Sequence, residues 1–205
     1  MKVKICGITN LEDALAACDA GADALGFVFA PEAKARNRYI EPEKARAIIE
    51  NLPPFVITVA VCVNEPPEKL LEYAQFCDRL QLCGEEQPKD VAALPRGRII
   101  KAFRAGPDFD LAAALAFPAS ACLLDAPGAH GGTGATCNWT AARKAVDAGL
   151  RVILAGGLTP DNVAEAVRAV RPYAVDTSGG VECAPGKKDH DRIHRFIANA
   201  KSSIS

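Results

Sequence analysis

The chain has 205 residues, 49% of them hydrophobic, and its 24 basic and 25 acidic side chains leave a formal net charge of −1. High apolar content with so little net charge argues against disorder, and the balance of charges offers no basic surface for nucleic acid. The eight cysteines include no C-x-x-C pair, which excludes ribbon-type zinc spacing. We interpret them as reduced thiols, mostly small core residues, in a cytoplasmic protein.

No targeting or membrane segment is predicted. The first residues are too briefly apolar for a signal peptide. The most apolar internal stretch, residues 111–124, is interrupted by Pro118 and Ser120 and is too short to span a bilayer. We therefore expect neither a membrane nor a nucleic acid among the partners.

Short β-branched runs recur along the chain and predict eight strands. They cover residues 3–8, 24–30, 56–63, 79–84, 99–104, 121–125, 151–156 and 174–177. The segments between them are rich in Ala, Leu, Glu and Lys. Two of these, residues 11–20 and 160–171, have apolar side chains at helical spacing, and Thr159 is the predicted N-cap of the second. The fourth and fifth helices, residues 85–94 and 108–117, have the weakest pattern.

Eight strands alternating with helices indicate an α/β fold. Nearly continuous apolar strands are typical of a parallel sheet covered on both faces. Eight such units predict a single-domain (β/α)₈ barrel, the TIM-barrel class, over residues 1–205; a doubly wound open sheet is the alternative. In a barrel, functional side chains lie at the carboxyl ends of the strands and in the loops that follow.

Two glycine-rich loops follow the last two predicted strands, at residues 156–159 (GGLT) and 177–180 (TSGG). Loops of this kind on adjacent strands favour a phosphate site, because backbone N–H groups can approach the anion. Tight turns that need glycine for positive φ are the alternative. No P-loop and no G-x-G-x-x-G motif are present, which argues against a dinucleotide.

Cys6 lies at the carboxyl end of the first predicted strand, immediately before Gly7, where an accessible thiolate could act as a nucleophile or base. Lys4 shares its strand face because side chains alternate with period two. We hypothesise that the ammonium group lowers the pKa of Cys6. The alternative is an inert core cysteine, but the position at a strand end favours Cys6 over the other seven.

Asp125 ends the sixth predicted strand. A carboxyl group in a partly dry site can have a raised pKa and serve as a general acid, although a turn or N-cap aspartate fits the sequence equally well. Cys6 and Asp125 together would form the base and acid that sugar isomerisation needs. His190 and His194 have zinc-protease spacing, but aspartate replaces the catalytic glutamate, and no metal is predicted.

Nearly the whole chain resembles the phosphoribosylanthranilate isomerase family. The resemblance begins with KICGIT at residues 4–9, which is highly specific. The further matching blocks are 21–29 (GADALGFVF), 61–65 (VCVNE), 81–85 (QLCGE), 123–125 (LLD), 130–134 (HGGTG), 154–158 (LAGGL), 175–182 (VDTSGGVE) and 185–189 (PGKKD).

The resemblance implies an Amadori rearrangement of N-(5-phosphoribosyl)anthranilate in tryptophan biosynthesis, without a metal or organic cofactor. It assigns Asp125 as the general acid at the furanose oxygen and Cys6 as the base that removes the C2′ proton. Arg38 would pair with the anthranilate carboxylate. The other implied substrate-binding residues, largely backbone groups around the phosphate, are Gly156, Gly157, Asp176, Ser178, Gly179 and Gly180.

The expected partner is a small phosphorylated substrate, and the chain is expected to be a monomer or homodimer. A different phosphate-binding barrel of sugar metabolism, such as an epimerase, is the second enzymatic hypothesis. A phosphate-binding module without catalysis is the third. The Cys6 block argues against the second hypothesis, and the pairing of Cys6 with Asp125 argues against the third.

Three features depart from the family pattern. The loop over residues 30–38 is longer and offers two arginines, so Arg36 competes with Arg38 for the carboxylate. Cys83 stands where the family usually has histidine. Asn138 stands where it usually has aspartate. These departures concern substrate grip and rate more than the proposed acid and base.

Overall fold

The computed structural model describes residues 1–127 and 137–203. All eight predicted strands are present, most of them trimmed by one to three residues. They are β1 (Lys2–Cys6), β2 (Ala24–Val28), β3 (Ile57–Cys62), β4 (Arg79–Leu82), β5 (Ile99–Arg104), β6 (Ala121–Asp125), β7 (Val152–Leu154) and β8 (Ala174–Thr177).

The eight strands form a closed parallel barrel in chain order. The last strand pairs with the first, with Lys4 of β1 opposite Asp176 of β8. This closure confirms the predicted barrel, and the open-sheet alternative is wrong. The HGGTG block at residues 130–134, between β6 and the next helix, lies outside the described residues.

Helices surround the barrel. Those described are α1 (Leu11–Asp19), α2 (Pro42–Ile49), α3 (Pro67–Tyr73), α4 (Leu111–Ala116), α5 (Trp139–Asp147), α6 (Val163–Val170) and α7 (His190–Ser202). Their apolar faces pack against the outside of the strands, where Leu25, Phe27 and Phe196 are fully buried. None of the helices in the described ranges is long and apolar enough to cross a membrane.

Two details of the predicted helices are wrong. The connection between β4 and β5 holds two short 3₁₀ turns, Pro88–Val91 and Arg96–Arg98, because the prolines and Gly97 break any longer helix. Thr159 does not cap α6. A turn follows it, the helix begins at Val163, and the Asn162 side chain accepts a hydrogen bond from the Thr159 N–H (2.8 Å).

The inside of the barrel has its own small core. Its largest members are Val59, Val61, Ile100, Leu123 and Ile153. Two buried polar side chains, Lys4 and Asp176, pair across the closure seam between β1 and β8.

A short hairpin follows β8 and lies beside the barrel mouth. It consists of β9 (Glu182–Ala184) and β10 (Lys187–Lys188). Gly186 in its turn has φ +79°, and a Cβ there would lie 2.0 Å from the Asn37 carbonyl oxygen. Only glycine allows this approach, which fixes the hairpin against the loop after β2.

Candidate active site

A cavity of about 1460 Å³ opens at the carboxyl ends of the strands. All nine predicted site residues line it, together with the competing arginine, Arg36. The nine are Cys6, Arg38, Asp125, Gly156, Gly157, Asp176, Ser178, Gly179 and Gly180. The barrel therefore brings together side chains and loops from β1, β2, β6, β7 and β8.

Cys6 is the last residue of β1 and is 8% exposed. Lys4, on the same face, donates a hydrogen bond to Asp176 on β8 (2.8 Å), and both side chains are buried. Burial raises the pKa of the Cys6 thiol, and the Lys4 ammonium lowers it by less, so the net pKa lies above its ordinary value. The hypothesised lowering of the Cys6 pKa by Lys4 is present, but the net shift is upward because desolvation is the larger effect.

Asp125 ends β6, and its carboxylate has two partners. Oδ2 accepts from Arg104 Nη1 (2.7 Å), and Oδ1 accepts from the Ala126 N–H (2.8 Å). Burial raises the pKa of Asp125, and Arg104 lowers it only in part, so the net shift is upward. This direction confirms the sequence hypothesis of a carboxyl group with raised pKa.

Arg104 is a site residue to which the sequence analysis gave no role. It ends β5 and stands directly opposite Asp125 in the parallel register. The available indication in the sequence was that Arg104 is a charged residue at the end of a predicted strand, and that the next predicted strand also ends in a charged residue, Asp125. The Arg104 side chain is 41% exposed, and it lowers the Asp125 pKa by less than burial raises it.

The two glycine-rich loops lie side by side. A Cβ at Gly156, whose φ is +80°, would lie 2.4 Å from the Ala126 nitrogen, and one at Gly180 would lie 1.9 Å from the Leu158 carbonyl oxygen. Thr177 Oγ1 also donates to Leu158 O (2.8 Å). The glycines are thus needed for tight turns, and the same turns bring backbone of both loops to one side of the mouth.

Arg38 reaches this side of the mouth from the loop after β2. Its Nε and Nη2 form a bidentate pair with Glu182 of β9 (2.9 and 2.8 Å). Its Nη2 lies 2.8 Å from where a Cβ of Gly179 would stand. The guanidinium group is therefore beside the second glycine-rich loop and already held by one carboxylate.

Glu182 and Lys188 were also missed as site residues. Lys188 Nζ donates to Glu182 (2.9 Å), to the Cys6 carbonyl oxygen (2.7 Å) and to the Ser178 carbonyl oxygen (3.2 Å). Burial raises the pKa of Glu182, but the hydrogen bond from Arg38 and the Lys188 ammonium lower it by more, so the net shift is downward. Both residues lie in blocks that carry the family resemblance, which was the only sequence indication.

The remaining predictions concern metals and the three departures. Within residues 1–127 and 137–203, no group of three His, Cys, Asp or Glu side chains is suited to a metal ion, and His190 instead contacts Asp13 (2.8 Å). Asn138 caps α5 through the Ala141 N–H (3.1 Å), which an aspartate would do equally. Cys83 faces the cavity.

Three comparisons with known proteins bear on this arrangement. Residues 3–199 match the family model described as N-(5′phosphoribosyl)anthranilate (PRA) isomerase. An N-(5′-phosphoribosyl)anthranilate isomerase from Trichlorobacter lovleyi is 52% identical over an alignment that covers all of both chains.

Two solved structures are similar over 98% of this chain and 99% of theirs. One is a phosphoribosyl anthranilate isomerase in complex with reduced 1-(o-carboxyphenylamino)-1-deoxyribulose 5-phosphate, with 46% identity and a TM-score of 0.87. The other holds monomers generated from a dimeric phosphoribosylanthranilate isomerase of Thermotoga maritima, with 44% identity and a TM-score of 0.86.

Proposed function

The chain belongs to the N-(5′-phosphoribosyl)anthranilate isomerase family, and from this membership we infer the reaction and the roles of its residues. It converts N-(5-phosphoribosyl)anthranilate to 1-(2-carboxyphenylamino)-1-deoxyribulose 5-phosphate, an intramolecular oxidation and reduction in tryptophan biosynthesis. The observation that carries the residue roles is the meeting of Cys6 and Asp125 in one cavity beside two glycine-rich loops.

The first step is ring opening. Asp125, whose raised pKa keeps more of it protonated, gives its proton to the furanose ring oxygen. The bond between C1′ and that oxygen breaks as the nitrogen lone pair forms a C1′=N bond, which yields an iminium ion. The Asp125 carboxylate left behind pairs with Arg104 (2.7 Å).

The second step moves a proton from carbon. The Cys6 thiolate takes the C2′ proton, and the electron pair of that C–H bond neutralises the iminium to give an enolamine. Tautomerisation then protonates C1′ and leaves a ketone at C2′, so C1′ is reduced as C2′ is oxidised. The acid and the base are both side chains of the chain, and the balance requires no further reactant.

Substrate binding uses separate groups for the phosphate and for the carboxylate. Backbone groups of Gly156, Gly157, Ser178, Gly179 and Gly180 hold the phosphate. Asp176 lines the cavity and holds the Lys4 ammonium beside Cys6.

Arg38 is proposed to receive the anthranilate carboxylate. Glu182 takes the Nε–Nη2 edge of its guanidinium group, and a second anion can use the Nη1 edge. Arg36 also lines the cavity and remains the competing residue. Replacing each arginine with alanine separates them, because loss of the carboxylate contact raises KM.

We further propose a homodimer in the cytoplasm. Phe55, in the loop before β3, is 97% exposed, and a dimeric relative has the same fold. This loop lies at the amino ends of the strands, so a second copy packed on it leaves the cavity mouth open. Residues 1–205 are proposed to form one domain.

The test is direct. Purified protein is incubated with freshly prepared phosphoribosylanthranilate, and loss of the substrate's fluorescence is followed. We expect rapid loss that depends on enzyme concentration and disappears in Cys6→Ala protein. An unchanged signal would contradict the proposed function, and turnover of other phosphosugars only would favour a different isomerase.

A further inference from the structure

The side-chain amide of Gln81 is buried in the barrel with an unpaired oxygen. Gln81 lies on β4 and is 4% exposed. Its register neighbours on β3 and β5 are Val61 and Ile100, which offer no polar group. Nε2 donates to Cys83 Sγ (3.3 Å), whereas Oε1 has no hydrogen-bond partner.

Such an atom is a cost to the fold. A buried carbonyl oxygen without a donor loses its hydrogen bonds to water and regains none, so an apolar side chain of similar size would favour folding. Rotating the amide by half a turn would only exchange the unpaired oxygen for an unpaired nitrogen. Among the described residues, the one other buried side-chain atom of this kind is Trp139 Nε1.

The two unpaired atoms differ in what they face. Gln81 lines the active-site cavity, together with Cys6, Cys83 and Asp125, whereas Trp139 is not among the residues around it. The Gln81 side chain is therefore part of the cavity wall, and a hydrogen-bond donor on a bound molecule that approaches Oε1 would satisfy it.

The barrel order indicates which part of the substrate lies near Gln81. β4 is four strands away from β8 in either direction around the closed barrel, so it stands opposite the loop that follows β8. With the phosphate held at the glycine-rich loops, the sugar carbon chain extends from C5′ into the cavity, and its far end is C1′. The donor at that end is the anilinic N–H on C1′.

We propose that Gln81 is a further catalytic residue, whose Oε1 accepts a hydrogen bond from the anilinic N–H of the substrate. This inference rests on the proposed function. Ring opening turns that N–H into part of a cationic iminium, and hydrogen bonds to charged donors are shorter and stronger. The contact strengthens as positive charge develops, so it acts on the transition state rather than equally on the bound substrate.

Gln81→Leu and Gln81→Met test the proposal because both are apolar and close in size. We expect kcat/KM to fall about 10- to 100-fold, the range for losing a hydrogen bond to a charged group. In both variants, the midpoint of thermal unfolding should equal or exceed that of the unmodified protein. Trp139→Phe is the matched control: it removes the other unpaired atom and should leave kcat/KM within about twofold of the unmodified protein.

A binding measurement identifies the donor. The reduced product analogue carries the amine, whereas ribulose 5-phosphate does not. Gln81→Leu should weaken binding of the analogue by roughly fivefold or more and leave ribulose 5-phosphate unchanged. Equal weakening of both, or kcat/KM within about twofold of the unmodified protein, would overturn the proposal.

Stability separates a structural role from a catalytic one. If both Gln81 variants unfold at clearly lower temperature or fail to fold, the amide is structural and the proposal is wrong. Failure of the proposed function would be seen differently, as absence of turnover in the unmodified protein.

Discussion

The thiol of Cys6 and the carboxyl group of Asp125 are shifted in the same direction with opposite consequences. Burial raises both pKa values. A raised pKa helps the acid, because more of it stays protonated, and hinders the base, because less of it is thiolate. The working form combines protonated Asp125 with the Cys6 thiolate, and kcat/KM should be flat between the two pKa values and fall on either side.

Replacing either residue should remove its proton transfer. In Cys6→Ala and Asp125→Asn proteins, we expect kcat to fall about 10²- to 10⁴-fold, the usual contribution of general acid–base catalysis, with KM little changed. Steady-state kinetics measure both parameters. Cys18→Ala, on α1 and outside the cavity, is the thiol control. A rise in KM with unchanged kcat would assign these residues to binding instead.

The Lys4 ammonium has a separate expected effect on the pH profile. It lowers the pKa of Cys6, which burial raises, so removing it should raise that pKa further. The alkaline limb of kcat/KM should then move to higher pH, and the plateau should drop because less thiolate is present.

The variant that tests this is Lys4→Met combined with Asp176→Asn, because Lys4→Met alone would leave a buried carboxylate unpaired. Asp176→Asn alone is the matched control for the lost carboxylate. An alkaline limb that stays in place in the double variant would show that Lys4 does not tune the thiol.

At the residue scale, sequence reasoning located Cys6 and Asp125 because each is the last residue of its strand. It did not locate Glu182 as the partner of Arg38, since the two are 144 positions apart and neither has a local pattern that names the other. The hypothesis that Lys4 lowers the Cys6 pKa holds for that contribution, but burial makes the net shift upward. The alternation of side chains along β1 placed Lys4 near Cys6 but could not show how deeply the Cys6 thiol is buried.

Among the elements, the β9–β10 hairpin matters most to the site. It supplies Glu182 and Lys188, which connect Arg38, the backbone of Cys6 and the loop at Ser178. The hairpin is thus part of the active-site wall, although its strands are only three and two residues long.

The carboxylate of Glu182 should make the stability of the fold depend on pH in the acid range. Although burial raises its pKa, Arg38 and Lys188 hold it below the ordinary value of 4.5. A depressed folded-state pKa contributes stability that is present above the unfolded value and is lost as pH falls through the folded value. We expect the thermal midpoint to drop as pH falls below about 4.5.

Glu182→Gln should flatten this part of the pH dependence. At neutral pH it should also destabilise the protein by roughly 3 kcal/mol or more, because two buried cations lose their shared carboxylate. Thermal unfolding across the acid range measures both effects. Glu68→Gln, on the exposed face of α3, should retain the pH dependence of the unmodified protein. An unaltered acid slope in Glu182→Gln would contradict the assignment.

The element boundaries show what periodicity can and cannot predict. Each strand was predicted from a run of β-branched residues that the barrel buries on both faces. The segment between β4 and β5 was predicted as a helix from its content of Ala, Leu, Glu and Lys, but prolines at 88 and 95 favour 3₁₀ turns there. The N-cap of α6 was misplaced because a turn separates Thr159 from the first helical residue.

For the whole molecule, the barrel followed from the number and spacing of the strands, and the carboxyl-end rule then placed the site. What the sequence could not provide was which side chains pair across the closure. The pair between Lys4 and Asp176 joins β1 to β8 across 172 positions, and only the folded barrel brings them together.

The proposed homodimer is tested at Phe55. Phe55→Asp puts a charge on the most exposed aromatic side chain, and burying that charge in an interface without a partner is unfavourable. We expect sedimentation to show monomers, with kcat/KM within about twofold of the unmodified protein because the loop lies away from the mouth. Leu115→Asp, at another exposed apolar residue, should remain dimeric. Dimers of Phe55→Asp protein would place the interface elsewhere.

The contact between Lys188 Nζ and the Cys6 carbonyl oxygen spans 182 positions, and it has a consequence for synthesis. A ribosome makes Cys6 182 positions before Lys188, so the catalytic thiol exists long before its surroundings are complete. A nascent chain that stops before residue 188 lacks the Lys188 ammonium. One that stops before residue 174 also lacks β8, the strand that closes the barrel on β1. Activity is therefore expected to arise in one late step, and chains truncated at the carboxyl end should be inactive rather than partly active.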